Sequence, residues 1–362
     1  MTDLPRLLPE DYRPQPPPAE IRRRYGIGIV GCGGIAGGAH LPAYRSFGYR
    51  VTGACDVVED HARQAAEQFA IPFWTTDLDA LLARPDVDVI DLAVHASQRV
   101  PLVERIAAAG KPLLSQKPFA LTYRDAERMV DVCERAGVPL MINQQARWAP
   151  AHRALKRVLD SGVLGHVYSL FHLRRGFQDR PGSWFVQLPH FTIVDHGIHF
   201  LDLTRYLSGR TPVRVKATTT RVPGQHAVTP MIHSVLLEYA SSPQEADLMT
   251  TLHFNNIVPS QSMHENTWFV DGTEGSVSVS QTELVFSSRA APDRRETVAL
   301  QGAWFPEAFG GSMGEFLTAL AERREPATSG RDNLRSIKLA FAAVESSESG
   351  RSVDLDATGE ER

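Results

Sequence analysis

A chain of 362 residues, 43% of them hydrophobic, can bury a sizeable core and is longer than one sheet-centred domain of ~100–200 residues needs, so two domains are expected. The formal net charge of −4, with no long run of Lys or Arg, gives no field that would gather nucleic acid or an anionic membrane surface. No stretch approaches the ~20 apolar residues of a membrane span, and three scattered cysteines, Cys32, Cys55 and Cys133, make neither a disulfide framework nor a zinc cluster. They read as core thiols of a protein kept in a reducing, cytoplasmic compartment.

The first 24 residues form a proline-rich arm, with Pro5, Pro9, Pro14, Pro16, Pro17 and Pro18 favouring extended backbone that would suit packing on a neighbouring subunit. Arg22-Arg23-Arg24 superficially resembles a twin-arginine export signal. The apolar run behind it, Ile27–Val30, is too short for a cleavable signal core and is needed as the first strand of a sheet.

From Gly26 to about Gln144, apolar runs alternate with helical patterns, the signature of a parallel sheet covered on both faces. Strands are predicted at Ile27–Val30, Val51–Cys55, Val87–Val94, Pro112–Ser115 and Leu140–Asn143, with a weak one near Phe73–Trp74. Helices are predicted from near Ile35, Glu59, Leu78, Val100 and Tyr123, two of them stopped by Gly110 and Gly137. Thr122 with Asp125 looks like a capping box that uses Asp for Glu.

After Trp148 the periodicity changes. Helices are expected near Ala151–Leu159 and Val194–Leu207, then alternating strands at Val213–Thr220, Ser234–Tyr239, Leu248–Phe254, Trp268–Asp271 and Ser276–Ser280, then helices at Ser312–Arg323 and Asn333–Ser347. The fold class is therefore α/β: a doubly wound parallel sheet over 25–147, followed over 148–362 by an α+β domain with a large, mostly antiparallel sheet. No internal repeat is visible.

Three motifs carry chemistry. Gly31-Cys32-Gly33-Gly34-Ile35-Ala36 follows the first strand and opens a helix, so its backbone can approach a pyrophosphate whose charge meets the helix N-terminus. Asp56 ends the second strand, 23 residues after Gly33, where a carboxylate would accept hydrogen bonds from the adenosine ribose. It would repel a 2′-phosphate, and Val57-Val58 offers no cation, so NAD is favoured over NADP. Gln116-Lys117-Pro118 ends a strand on the side where open α/β sheets bind ligands, which aims Lys117 at the reacting end of a dinucleotide, although a lysine in an ordinary turn would read the same way. Asp195-His196-Gly197-Ile198-His199 lies on a helix, where residues four apart share a face and the carboxylate can orient the His199 imidazole. A metal reading of His190, His196 and His199 with Asp195 lacks a matched second ligand set, and no metal is expected.

Together these residues resemble the glucose-fructose oxidoreductase / inositol dehydrogenase family (Gfo/Idh/MocA), from about Tyr25 to Ser347. Ala109-Gly110-Lys111, and Asn143 with Arg147-Trp148, also look like the family pattern. The resemblance implies a Rossmann domain, an antiparallel domain carrying substrate and oligomer contacts through its open sheet face in a homodimer or homotetramer, and carbohydrate or cyclitol substrates. Gln116 stands where the family usually has Glu. Val94-His95-Ala96-Ser97-Gln98-Arg99 replaces a Thr-Pro-Asn stretch followed by His, which puts His95 near the nicotinamide and makes it, with Gln116, a cofactor contact. Of the many aromatic and histidine side chains in the second domain, only Trp184 and His190 are taken as substrate contacts. The expected reaction is hydride transfer from a sugar or polyol carbinol to NAD in the cleft between the domains, with Lys117 and His199 in acid-base roles and Asp195 behind His199. Redox-assisted glycoside cleavage and a dinucleotide-binding sensor without turnover remain alternatives.

Overall fold

The structure is a computed structural model that describes residue 8, residues 12–241 and residues 247–355. The chain forms two compact units, one of 14–149 with 303–337 and one of 1–13, 150–302 and 338–362. The expected 25–147 segment lies inside the first, which also takes in the end of the arm and a later segment.

In the nucleotide-type unit, helix α1 (Ala19–Arg24) leads into six parallel strands: β1 (Gly26–Val30), β2 (Arg50–Cys55), β3 (Trp74–Thr75), β4 (Val89–Leu92), β5 (Leu113–Gln116) and β6 (Leu140–Asn143). Their order is β3-β2-β1-β4-β5-β6, the doubly wound arrangement with its reversal between β1 and β4. Strands β1, β4, β5 and β6 are buried on both faces, as covered parallel strands must be, which is why they read as continuous apolar runs. The connecting helices are α2 (Leu41–Phe47), α3 (Glu59–Phe69), α4 (Leu78–Leu82), α5 (Arg99–Ala108) and α6 (Tyr123–Arg135). Thr122 caps α6 through a bond from the Asp125 amide at 3.0 Å, while the Asp125 carboxylate accepts from the Thr122 hydroxyl at 2.8 Å. The hydroxyl thus serves both sides of the box.

In the sheet unit, α7 (Pro150–Asp160) and α8 (Ile198–Ser208) accompany nine strands. These are β7 (Val167–Arg175), β8 (Pro212–Thr220), β9 (Ile232–Tyr239), β10 (Met249–Asn255), β11 (Glu265–Gly272), β12 (Gly275–Val279), β13 (Glu283–Ser288), β14 (Glu296–Ala299) and β15 (Val353–Asp354). The order is β14-β13-β12-β11-β7-β10-β9-β8-β15, antiparallel throughout except where β7 runs parallel to β10. Sequence periodicity omits β7, β13, β14 and β15. Strand β7 lies centrally, yet its only two buried positions are Leu170 and His172, and a histidine there hides the alternation.

The last helices are α9 (Glu307–Glu322) and α10 (Gly330–Ser349). Helix α9 begins five residues before the predicted Ser312, because Gly310 and Gly311 act as contact surface and not as breakers. A Cβ on Gly310 would lie 2.7 Å from the Phe47 ring, and one on Gly311 would lie 2.9 Å from Trp148 Cβ. Phe309, Met313, Phe316 and Leu317 of α9 join Ile27, Ile29, Tyr44 and Phe47 in one apolar core.

The described part of the arm packs on its own chain. In the sheet unit the Tyr12 carbonyl accepts from Arg153 Nε at 2.6 Å and its hydroxyl from the Gln301 amide at 2.6 Å. In the nucleotide-type unit Pro14 and Pro17 lie against Gly311 and Gly314 of α9. Pro5 and Pro9 fall outside the described residues. Among the described residues, no helix is long and apolar enough to cross a membrane.

Candidate functional site

Strand β1 ends into a turn that only glycine fits. Gly31 has φ +90°, its amide donates to the Cys55 carbonyl at 2.8 Å, and an added Cβ would lie 2.8 Å from Val94 Cγ1. Gly33 and Gly34 are the reverse case: a Cβ on either would meet no protein atom within 4 Å. The chain turns helical at once, with Ile35 in the right-handed region and the Gly37 amide bonded to the Gly33 carbonyl at 3.0 Å. The first amides of this turn have no intrahelical acceptor, so they are available to an anion.

Asp56, at the end of β2, is fixed against that turn. One carboxylate oxygen accepts from the Cys32 amide at 2.7 Å and the other from the Val58 amide at 2.9 Å, with His61 Nδ1 3.6 Å away. Open glycine positions, a helix start and a carboxylate beside them match what the diphosphate and ribose of a dinucleotide require.

Two strands along from β1, β5 ends in Gln116 and leads into Lys117. Gln116 is buried, and its side-chain carbonyl accepts from Asn143 Nδ2 at 3.0 Å, so the amide that stands for the family's usual Glu is held by the end of β6. Lys117 is half-buried and followed by a cis bond to Pro118. His95, on the loop after the neighbouring β4, caps a short 3-10 turn, Ala96–Gln98; its Nδ1 accepts from the Ser97 amide at 3.3 Å. Strands β4 and β5 pair through Leu92 and Ser115, so both loops leave the same carboxyl end of the sheet. Arg99, which sequence reasoning did not single out, lies between them. It is 1% exposed, and its guanidinium donates to carbonyls of both loops. A signal was available, since an arginine opening a helix opposes the helix dipole and needs a local reason to be there.

In the sheet unit, the expected single helix is two elements. Residues Phe191–His196 are π-helical, with the Gly197 amide bonded to the Thr192 carbonyl at 2.9 Å, and α8 follows. Asp195 therefore sits on the wider π turn and the buried His199 in the first turn of α8, so their four-residue spacing is not that of one regular helix. His190 caps the π segment with φ +57°, a left-handed conformation uncommon for a histidine, and its Nε2 is 3.7 Å from Glu348. Trp184 is 59% exposed and meets the Phe185 ring edge-on at 5.8 Å; Phe185 stacks on Phe191 at 4.6 Å.

His172 and His233 are core. Their rings stack on Phe200 at 4.1 Å and on Phe254 at 4.4 Å, and burial pushes both down to about 3. All three cysteines are buried and reduced, and burial holds the thiols of Cys32 and Cys133 up at about 12 and of Cys55 at about 11, too high for nucleophiles. Among the described residues no three His, Cys, Asp or Glu side chains are grouped as metal ligands would be.

Sheet order, glycine turn and Asp56 define a dinucleotide-binding protein with a second, sheet-rich unit. Residues 25–144 match the profile described as "Oxidoreductase family, NAD-binding Rossmann fold", and residues 152–278 match that of the GFO/IDH/MocA C-terminal domain. The chain belongs to the GFO/IDH/MocA oxidoreductase family. It is 33% identical to a D-apiose dehydrogenase of Paraburkholderia graminis over 92% of this chain and 90% of that one. It is 27% identical to an inositol 2-dehydrogenase of Rhizobium meliloti over 91% and 98% of the two chains. A crystal structure of an oxidoreductase from Agrobacterium radiobacter, in complex with NAD+, L-tartaric acid and magnesium, superimposes with a TM-score of 0.79 at 26% identity, covering 91% and 98%.

Proposed function

We propose that this protein is an NAD-dependent dehydrogenase that oxidises a carbinol carbon of a sugar or cyclitol, with Lys117 and His199 handling the hydroxyl proton. The observation that carries the reading is the shared carboxyl edge of one sheet, where the glycine turn with its fixed Asp56 follows β1 and β2 and Lys117 follows β5. Relatives named for D-apiose and inositol point to the substrate class.

Gly31, Gly33, Gly34 and Ile35 would hold the diphosphate and Asp56 the adenosine ribose. Val57, 90% exposed, and Val58 bring no cation to that carboxylate, which supports NAD over NADP. His95 and Gln116 belong to the nicotinamide end. When bound, NAD supplies the acceptor for the two electrons and the hydrogen that leave the carbinol carbon. Lys117 donates an N–H to the substrate oxygen and steadies the charge that grows there, His199 accepts the hydroxyl proton, and Asp195 steadies the imidazolium that results. His190 and Trp184 would contact the sugar.

The test is absorbance at the reduced-nicotinamide band, with NAD and separately NADP, against D-apiose, inositols, aldoses and glycosides, with products followed by mass spectrometry. A steady rise with NAD and a product two mass units lighter than its substrate is expected. Aglycone release without a rise would replace this reading by redox-assisted glycoside cleavage, and tight NAD binding with no turnover of any compound would replace it by a sensor.

A further inference from the structure

We propose that Arg99 is a positioning residue: its buried guanidinium clamps the backbone turn that carries Lys117 to the loop that carries His95. The inference rests on the acid-base reading of Lys117 for its consequence in catalysis, and on geometry alone for the clamp.

Arginine at this position is doubly unfavourable. It opens α5, where the helix dipole repels a cation, and it is 1% exposed, so its charge has left water. What offsets this is a fan of carbonyl oxygens. Nε and Nη2 donate to the Val94 carbonyl at 3.0 and 2.8 Å, Nη2 also to the Lys117 carbonyl at 3.3 Å, Nη1 to the Phe119 carbonyl at 3.3 Å and to the Pro118 carbonyl. Three successive carbonyls of the turn, 117 to 119, thus bend around one planar cation whose other edge grips the loop after β4.

The turn needs an outside donor. It lies beyond the end of β5, where ladder bonding has stopped, and Pro118 has no amide hydrogen to offer. On its other side the preceding residue, Gln116, is tied to Asn143. The Lys117 main chain is therefore fixed before and after its Cα, which limits where the ammonium can swing. A lysine in place of Arg99 could not do this, because one ammonium presents its three N–H bonds from a single point and cannot fork to two loops.

The experiment uses the full chain with Arg99→Lys and Arg99→Ala. Reductive methylation, followed by peptide mass spectrometry, reads the labelling rate of Lys117 against Lys111, Lys156, Lys216 and Lys338 in the same molecules. Both variants should label Lys117 severalfold faster with the other four rates unchanged, and millimolar guanidinium should return the Arg99→Ala rate toward wild type. On any sugar or cyclitol the wild type oxidises, kcat should fall by about 10²-fold while KM and NAD affinity stay near wild type, and guanidinium should restore part of it. If Arg99→Ala does not fold, Arg99→Lys, which keeps the charge and the apolar stem, carries the test. An unchanged Lys117 rate in both, or a rise shared by all five lysines, overturns the clamp. Faster labelling of Lys117 with undiminished kcat leaves the clamp standing and overturns the acid-base role of Lys117.

Discussion

The two units build their candidate sites from different materials. In the nucleotide-type unit the site is mainly backbone: the open turn at Gly33 and Gly34, the carbonyls of 117 to 119, and an Asp56 carboxylate whose two bonds are both to amides. In the sheet unit it is side chain set in packing, with His199 buried in the first turn of α8 and His190 held left-handed at the start of a π segment. On the proposed reading, cofactor recognition rests on local chain geometry around Gly31 and Asp56, whereas proton handling rests on a few placed side chains, Lys117 in one unit and His199 in the other. Perturbing the glycine turn should change binding, and perturbing those side chains should change turnover.

The sharpest separation comes from the two residues proposed to handle the proton. Lys117→Ala and His199→Ala should each lower kcat by about 10²- to 10⁴-fold, the range for losing a positioned acid or base, with NAD affinity measured by calorimetry within a few-fold of wild type. If His199→Ala instead abolished NAD binding, the division of labour would be gone.

Acid should strike the sheet unit through its buried histidines. The folded chain keeps His172 and His233 neutral down to about 3, while in the unfolded chain each takes a proton near 6.5. Between these values the unfolded state binds more protons, so the contribution is complete above about pH 6.5 and is lost as pH falls through that window. At pH 5 the loss amounts to about 2 kcal/mol for each ring, from 1.36 kcal/mol per pH unit below 6.5. Urea unfolding at pH 7 and pH 5 should show this loss, and His233→Leu should reduce it by about the share of one ring. An identical pH dependence in that variant would place the acid sensitivity elsewhere.

How much was legible in the sequence tracks the same division. Four of the six parallel strands, β1, β4, β5 and β6, could be read because strands buried on both faces must be continuously apolar, and the turn could be read because its glycines and Asp56 have fixed offsets. Strand β7 could not, since His172 replaces an apolar residue on its core face. The start of α9 could not, since Gly310 and Gly311 look like breakers until Phe47 and Trp148 are seen against them. The π turn over Phe191–His196 leaves no periodicity of its own in six residues. Arg99 stood in view as a departure from the family's usual residues, but its meaning depends on carbonyls twenty residues away in sequence, which only the paired ends of β4 and β5 bring within reach.

A smaller perturbation of binding should come from Asp56→Ala. Its carboxylate holds two amides already, so removal loosens the turn and deletes the proposed ribose acceptor together. Hydrogen bonds to a charged group are worth about 1.5–3 kcal/mol, so NAD affinity should fall by about 10- to 100-fold while NADP affinity falls less. Equal losses for both dinucleotides would mean that Asp56 serves the turn alone and does not distinguish the 2′ position.

The smallest effect tests whether a local bond in the nucleotide-type unit stays local. Thr122 caps α6 four residues after Pro118, so its hydroxyl closes the same stretch of chain that Arg99 grips at the other end. Thr122→Ala should lower stability by about 1 kcal/mol in urea unfolding, the usual loss for an N-cap, and Thr122→Ser should restore most of it. Since three carbonyls of the preceding turn are held independently by the guanidinium, Lys117 labelling and NAD affinity should not move. A Thr122→Ala protein with faster-labelled Lys117 would show that the turn depends on the start of α6 as much as on Arg99, and the backbone site would then be specified over a longer range than its local geometry suggests.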